Sequence, residues 1–337
     1  MHGRALLLVL FAFASPGAHA RDLSLFNVLR LDMPSADALP APRETWAFDL
    51  QAGYQNTWSM SSNVKDYFEA RNARRRLDAA DIAEIRALPG GKFLVDLEMG
   101  ALDLAVHRRI DAHWSAYGIV GAVSYGGGFM DGPIERYHSA LGFREYVRGA
   151  VPRNQATVIA DTGRTHYVLQ GAPSSGLLDP ALGIRYRAGA LAIDAALKVP
   201  VGGTRAFLSN GHADLGVQAA LGGAAGPHSG FVSIAGVSTA GGGILATRGR
   251  YFVPTLAGGY EYAFGQGTSV LLQGNASRYA LDSGDTDISE LRQPKVQVLA
   301  GVRHRVGRSI FTAAFTEAFG AYNGLPDIGF ALRWTLD

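Results

Sequence analysis

The sequence has no cysteine, few charged residues and no long apolar run. Its 337 residues include no Cys, and only 18% are charged, against roughly 25% in an ordinary globular protein. The absence of Cys excludes a disulfide framework and any cysteine-ligated metal site. The formal net charge is only +2 and no basic block stands out, so we expect no nucleic-acid partner. No segment after the first twenty residues reaches the roughly 18 consecutive apolar residues of a membrane-spanning helix.

The first twenty residues have the pattern of a secretory signal peptide. A short basic start ending at Arg4 precedes an apolar run from Ala5 to Ser15, and Ala18-His19-Ala20 matches the small-x-small cleavage pattern. We therefore predict a signal peptide at 1–20, an N-terminal periplasmic segment at 21–43 and an outer-membrane domain at 44–337. A retained anchor is the alternative for 1–20. An exported chain without a helical anchor is secreted, periplasmic or an outer-membrane barrel.

Much of the remaining chain alternates between apolar and polar or small residues with a period of two. In 328–336, for example, Ile328, Phe330 and Leu332 alternate with Gly329, Ala331 and Arg333, as in a half-buried strand. A β-sandwich produces the same alternation, but aromatic residues also recur at the strand ends, as in the girdles of membrane barrels. The pattern predicts an all-β fold, a transmembrane antiparallel up-and-down β-barrel.

The number of strands follows from the spacing of these segments. We predict about 14 strands, joined alternately by long and short connections, as in outer-membrane barrels with long external loops and short periplasmic turns. A count of 12 is the alternative, because 154–171 can also form a hairpin within a loop. The charged stretch 66–87 is helix-prone, and its arginine run at 74–76 suggests either a solvated surface or a patch that meets anionic lipopolysaccharide.

Residues 125–154 form a second segment without strand periodicity. Pro133 suits the first turn of a helix, Asp131 or Gly132 suits its N-terminal cap and Gly142 suits its end. On such a helix Glu135 and His138 share a face. Because long loops of membrane barrels fold into the lumen, we expect this short helical loop to constrict or plug the pore.

The motifs of this segment resemble those of a known family. Gly127–Phe129, Asp131-Gly132, Ile134-Glu135, His138 and Pro152-Arg153-Asn154 look like the hallmark of domain-of-unknown-function family 3187, an uncharacterised Gram-negative family. The resemblance covers most of residues 40–200. It implies a predicted outer-membrane barrel and no established activity. The passage Gly176–Gly183 is similar to a turn in this family and in outer-membrane transporters for hydrophobic compounds, although Leu178 departs from the pattern.

The leading functional hypothesis is an outer-membrane channel or transporter for small solutes, hydrophobic ones included. Its expected partners are outer-membrane lipid and lipopolysaccharide, the barrel assembly machinery and an unidentified small-molecule solute. The residues predicted to line the lumen or its constriction are Asp131, Glu135, Arg136, His138, Arg153, Asn154, Arg185, Arg187, Asp194 and Lys198. Further lumen charges are predicted at Asp49, Asp96, Glu98, Glu261, Arg303 and Arg333.

Two alternatives belong to other functional classes. A lipid-modifying hydrolase would use His138 with Glu135 or Asp131. The adjacent Ser139 points roughly 100° away from His138 on a helix, so His138 is badly placed to activate it as a nucleophile. A structural or surface-interaction barrel would use the loop at 59–91. The seven histidines of the mature chain show no metal-ligand spacing, so we expect neither a metal nor a cofactor.

Overall fold

The computed structural model describes residues 21–33, 45–143, 146–204, 207–241, 247, 249–265, 267–279, 281–320 and 328–336. The predicted signal peptide at 1–20 and residues 34–43 lie outside this range. The described elements are mostly strands. They are β1 Trp46–Met60, β2 Lys92–Arg109, β3 Trp114–Gly126, β4 Thr157–Asp161, β5 His166–Gln170, β6 Gly176–Leu177, β7 Ala181–Ala188, β8 Leu191–Lys198, β9 Asp214–Ala225, β10 His228–Ala240, β11 Arg250–Gly265, β12 Thr268–Arg278, β13 Pro294–Val306, β14 Ser309–Gly320 and β15 Ile328–Leu336.

Twelve of these strands close into an antiparallel barrel. The wall strands are β1, β2, β3 and β7 to β15. Each pairs with the next wall strand, so that β3 pairs with β7, and β1 closes the ring by pairing with both β2 and β15. β4, β5 and β6 lie outside the ring. β4 pairs with the first residues of β2, and β5 pairs with β4. The predicted count of 14 is therefore not confirmed, and the alternative of 12 fits because 154–171 forms a hairpin outside the wall.

The period of two in the sequence corresponds to the two faces of this wall. Apolar side chains such as Leu332, Val217 and Ile234 point outward and are more than half exposed. The residues between them are polar, point inward and are buried, as Asp194, Gln218 and Arg333 show. An apolar outer face and a polar inner face are the arrangement of a barrel that sits in a bilayer.

The two ends of the barrel differ in their connections. At one end short turns join the strands, and Gly189 and Gly307 allow them to be tight because each has a positive φ, +57° and +59°. Aromatic residues collect there, among them Trp114, whose ring lies 5.0 Å from that of Tyr186. The long connections lie at the other end, which we call the loop end.

At the loop end, β1 and β2 continue beyond the ring and carry a layer of loops. Two helices, α1 Ser62–Arg71 and α2 Ala79–Ala87, occupy the stretch predicted to be helical at 66–87. The break between them follows Asn72, which is left-handed (φ 42°), and α2 restarts at a capping box made by Asp78 and Asp81. Their apolar side chains pack on the outward face of the β1–β2 extension, in a cluster with Trp58, Leu94 and Ile159.

A third helix, α3, spans Asp131–Leu141 and ends at the left-handed Gly142. Asp131 is its first residue and not its cap, which is Met130. In the described part of the chain no helix is long and apolar enough to cross a membrane.

Candidate functional site: the barrel interior

The barrel interior is lined by oppositely charged side chains that pair with each other between strands of the wall. Arg185 Nε donates to Asp194 Oδ1 at 2.7 Å, Arg333 Nε donates to Asp49 Oδ2 at 2.5 Å, and Arg303 pairs with Glu261. All six side chains are at most 15% exposed. Because buried charges are tolerated when they are paired, the interior stays polar while carrying little net charge.

Residues 21–33, which we call the inner segment, lie inside the barrel. At the start of the segment, Arg21 Nη1 donates to Asp103 Oδ1 of β2 at 2.6 Å, and Asp22 pairs with Lys295 of β13. Near its end, the backbone N–H of Leu31 donates to Asp214 Oδ2 of β9 at 2.9 Å. The contacted strands lie on different sides of the ring, so the inner segment crosses the lumen. The structure thus places the described part of the predicted periplasmic segment 21–43 inside the pore.

Lys198 fixes the middle of the inner segment. Its ammonium group donates to the carbonyl oxygen of Leu29 at 2.6 Å and lies 3.2 Å from carboxylate oxygens of Asp179 and Asp214. Two carboxylates around one ammonium group hold that donor in place. Burial by itself raises the pKa of Asp179, but hydrogen bonds from Ser209 and the nearby backbone, with the charge of Lys198, lower it below its ordinary value.

Glycines in the wall make room for the inner segment. A Cβ on Gly216 of β9 would lie 2.4 Å from Met33 Sδ and 2.9 Å from Leu31 Cδ2, much closer than van der Waals contact. A Cβ on Gly53 of β1 would lie 3.2 Å from Leu23 Cδ1. The wall is therefore shaped to the segment that fills it.

An apolar cap closes the interior above the inner segment. The leucines at 23, 25 and 29 and Val28 pack in one cluster with residues from the loop ends of β2 and β3 and from the long loops, including Phe93, Tyr125, Phe207, Tyr279 and Leu291. Tyr125 also donates its hydroxyl to the carbonyl oxygen of Phe207 at 2.7 Å. The cap joins the inner segment to the loop layer.

One cavity beside the inner segment is small. A cavity of about 40 Å³ lies between Arg30–Met33 and β9–β12, with a polar lining that includes Gln218, Ser233, Gln273 and Asn275. A water molecule needs roughly 10–15 Å³ of such a cavity. This space therefore holds a few water molecules and is too small for a solute.

The structure divides the predicted lumen residues into two groups. Arg185, Arg187, Asp194 and Lys198 lie on the inward faces of β7 and β8, as do Asp49, Glu261, Arg303 and Arg333 on their own strands. The predicted site residues of the segment 125–154 do not face the lumen: Asp131, Glu135, Arg136, His138, Arg153 and Asn154. Their segment packs on the outward side of the wall, where Met130 and Ile134 contact Ile328, Tyr54 and Phe315. Asp96 and Glu98 also lie on that outward side.

Four polar residues, Asn56, Glu98, Asp131 and Arg148, hold this segment to the wall, and we call them the outer cluster. Arg148 donates to Asp131 Oδ1 at 2.6 Å and to Asn56 Oδ1 at 3.0 Å. Glu98 accepts the backbone N–H groups of Phe129 at 2.9 Å and Met130 at 2.6 Å.

Gly128 is required beside the outer cluster. It has φ +60°, and a Cβ there would lie 1.8 Å from Glu98 Oε2. The glycines of the sequence motif thus let the chain pass close to the Glu98 carboxylate.

Glu135, which was considered for catalysis together with His138, is bound by two arginines. Glu135 accepts from Arg74 at 2.7 Å and from Arg153 Nε at 3.0 Å. Burial raises the pKa of Glu135, but the hydrogen bonds and charges of Arg153 and Arg74 outweigh that effect and lower the pKa below its ordinary value. Both carboxylates of the hypothetical hydrolase site are thus bound by guanidinium groups that position α3. Within the described ranges, no three His, Asp or Glu side chains form a group able to hold a metal ion.

Sequence reasoning missed the inner segment. It contains apolar residues at 23, 25, 28, 29 and 31, between Asp22 and Asp32. These apolar side chains indicate a segment that packs against another part of the protein. Its partners, however, lie as far away as Lys295, 273 positions along the chain, and no local pattern identifies them.

The comparisons with known proteins decide the family. The sequence matches the model of the family described as "Protein of unknown function (DUF3187)" over residues 79–336. The chain belongs to this family. No curated protein matches the sequence.

A solved structure shows the fold. An outer membrane channel from Pseudomonas putida F1 is similar at 11% identity and a TM-score of 0.54, covering 90% of this chain and 99% of that one. The β domain of the Bordetella autotransporter Brka has 12% identity and a TM-score of 0.43, covering 87% and 99%. The DUF3187 chain therefore has the barrel fold seen in the Pseudomonas channel.

Proposed function

We propose that this DUF3187 protein is an outer-membrane channel for small solutes, closed in the present conformation by the inner segment. The observation that carries the proposal is that a closed barrel with an apolar outer face holds residues 21–33 across its lumen through ion pairs and hydrogen bonds made by side chains of the wall. The protein is exported through the predicted signal peptide and inserted by the barrel assembly machinery. The solved structure from Pseudomonas putida with this fold is itself titled a channel.

The bonds that hold the inner segment are of a kind that can break without unfolding the wall. Its ion pairs with β2 and β13, and the hydrogen bond that Lys198 of β8 donates to Leu29, are not part of the strand-to-strand hydrogen-bond network. A segment that leaves the lumen would uncover the paired charges of the wall and the inward-facing Phe231, giving a path for small solutes with apolar parts. Because the wall charges pair with each other, we expect little preference for cations over anions.

The test compares the conductance of three purified chains in planar lipid bilayers: the full chain, a variant lacking 21–33, and a length-matched variant. The length-matched variant changes Leu23, Leu25, Leu29 and Leu31 to Ser, which removes the apolar contacts but keeps the chain. We expect small or rare current steps from the full chain and large, steady steps from both variants. A heat-dependent shift on a gel shows that each barrel has folded.

The proposal fails if a folded variant lacking 21–33 conducts no better than the full chain. Steps of full size from the unaltered chain would equally show that the inner segment does not close the pore.

A further inference from the structure

The helix α3 lies outside the barrel, against the part of the wall that faces lipid. Its apolar residues Met130 and Ile134 are buried on Ile328, at the loop end of β15. Two residues further along β15, Phe330 points to the same side and is 50% exposed. The helix thus rests where the lipid-facing surface of the wall meets the loop layer.

The sequence of α3 separates apolar from polar side chains around the helix axis. At about 100° per residue, Pro133, Ile134, Tyr137, Ala140 and Leu141 share one side of the helix. The other side carries the carboxylates of Asp131 and Glu135, which bind arginines of the loop layer, together with Ser139. Arg136 lies at the border between the two sides and is exposed.

Exposed aromatic and apolar residues extend the lipid-facing surface of the wall onto α3. The ring of Tyr137 lies 6.5 Å from that of Phe315, which lies 5.7 Å from that of Phe330. Phe143 continues the row at 6.0 Å from Tyr137 and is 54% exposed.

On the other flank, Phe129 stacks on Tyr54 at 5.2 Å and is 65% exposed. Leu141 is 55% exposed. A continuous apolar surface next to a lipid-facing wall is chemically suited to lipid.

Basic side chains border this surface. The side chains of Arg74 and Arg153 are 43% and 52% exposed, and both pair with the single carboxylate of Glu135. Arg136 on α3 is a third guanidinium group and is exposed, so the positive charges of these three arginines outnumber the negative charge of Glu135. Guanidinium groups bind phosphate well because their planar donors match its oxygens.

We propose that α3 is an interfacial helix that binds anionic lipid. Its side carrying Tyr137 and Leu141, with Phe129 and Phe143, lies in the outer leaflet beside the barrel. Arg74, Arg136 and Arg153 bind the phosphate groups of that lipid. This inference rests on the outer-membrane location in the proposed function, but not on the passage of solutes.

The absence of cysteine allows a test with single introduced cysteines that carry an environment-sensitive fluorophore. Leu141→Cys places the fluorophore on the apolar side of α3. Ser139→Cys, two residues away on the polar side, is the matched control. Leu332→Cys, on the outward face of β15 and 61% exposed in the isolated chain, reports whether the wall itself lies in lipid. The labelled proteins are placed in phosphatidylcholine vesicles containing diphosphorylated lipid A, and are quenched either by spin-labelled lipid or by aqueous iodide.

We expect lipid quenchers to act strongly at 332 and 141 and weakly at 139, with 141 at the shallow depth of an interfacial helix, about 5–10 Å. Quenching at 332 but equal accessibility to iodide at 141 and 139 would overturn the proposal for α3 and leave the membrane location intact. No lipid quenching at any position would overturn both.

The arginines are tested by titrating lipid A into the protein labelled at 141 in detergent. We expect Arg136→Gln to weaken binding about fivefold, the contribution of one arginine near an anionic surface. Arg86→Gln, an exposed arginine on α2, should leave binding unchanged. Equal binding by the two variants would overturn the assignment of the phosphate contacts.

Discussion

The β1–β2 strand pair carries charges on both of its faces, and the two faces bind different parts of the chain. On the inward face, Asp103 binds Arg21 and Asp49 binds Arg333. On the outward face, Glu98 and Asn56 belong to the outer cluster that holds the segment leading into α3. The inner carboxylate Asp103 holds a segment that lies in the pore, whereas the outer cluster holds a loop that leads directly from β3.

Charges on one strand pair can therefore serve separate purposes, one in the lumen and one outside the wall. Loss of an inner contact frees a segment that crosses the lumen but leaves the hydrogen bonds between strands in place. Loss of an outer contact leaves a buried charge without a partner inside a packed loop layer. We therefore expect inner changes to alter conductance and outer changes to alter stability.

The largest effect is expected from breaking the outer cluster at Arg148. Its side chain is 3% exposed and that of its partner Asp131 is 7% exposed, so Arg148→Met leaves a buried carboxylate without its cation. Such a change costs about 3–5 kcal/mol, which denaturant unfolding in detergent will measure. Single-channel conductance should not change.

Arg153→Gln is the matched control for that experiment. Arg153 is 52% exposed and shares Glu135 with Arg74, so its loss should cost less than about 1 kcal/mol. Equal losses of stability in the two variants would refute the distinction between buried and exposed pairs of the loop layer. Adding Asp131→Asn to Arg148→Met should recover part of the lost stability, because it removes the stranded charge.

The next effect concerns the inner contact between Arg21 and Asp103. Arg21→Gln removes one charged hydrogen bond between the segment and Asp103 of the wall, worth about 1.5–3 kcal/mol, and removes no bond between wall strands. A free-energy change of about 1.4 kcal/mol changes an equilibrium constant tenfold. We therefore expect the time spent open in bilayer recordings to rise about tenfold or more, with the unfolding midpoint little changed. Arg108→Gln, an exposed arginine at the turn end of β2, should behave like the unaltered chain. An unfolding midpoint that falls without a change in gating would contradict this assignment.

The fold was largely predictable from the sequence. Successive side chains of a wall strand point alternately to the apolar outer face and the polar interior, which gives the sequence a period of two. The number of wall strands was less accessible. Residues 157–161 and 166–170 do form strands, β4 and β5, but each has five residues, against about 9–11 needed to cross a bilayer. The short length of these strands favours a hairpin outside the wall. Alternation alone does not distinguish a wall strand from a strand of such a hairpin.

The site was less predictable than the wall. Asp96 and Glu98 fall on the opposite face of β2 from Asp103, because the separation between them and Asp103 is an odd number of residues. That signal was present in the sequence, and it places them outside the lumen. The position of α3 had no comparable signal, because a helix in a long loop follows no strand period and its contact with Ile328 joins residues far apart in the chain.

The smallest expected effect is a pH dependence confined to the loop layer. Although burial raises the pKa of Glu135, its bonds with Arg153 and Arg74 hold it below the ordinary value. A carboxylate whose pKa is lower in the folded state stabilises that state above the unfolded pKa, about 4.3 for glutamate. The stabilisation is lost as the pH falls through the folded pKa. The difference in unfolding free energy between the unaltered chain and Glu135→Gln should therefore stay constant from about pH 7 to pH 5 and shrink toward about pH 3. A difference that grows as the pH falls would show that Glu135 is not held as a carboxylate by these arginines.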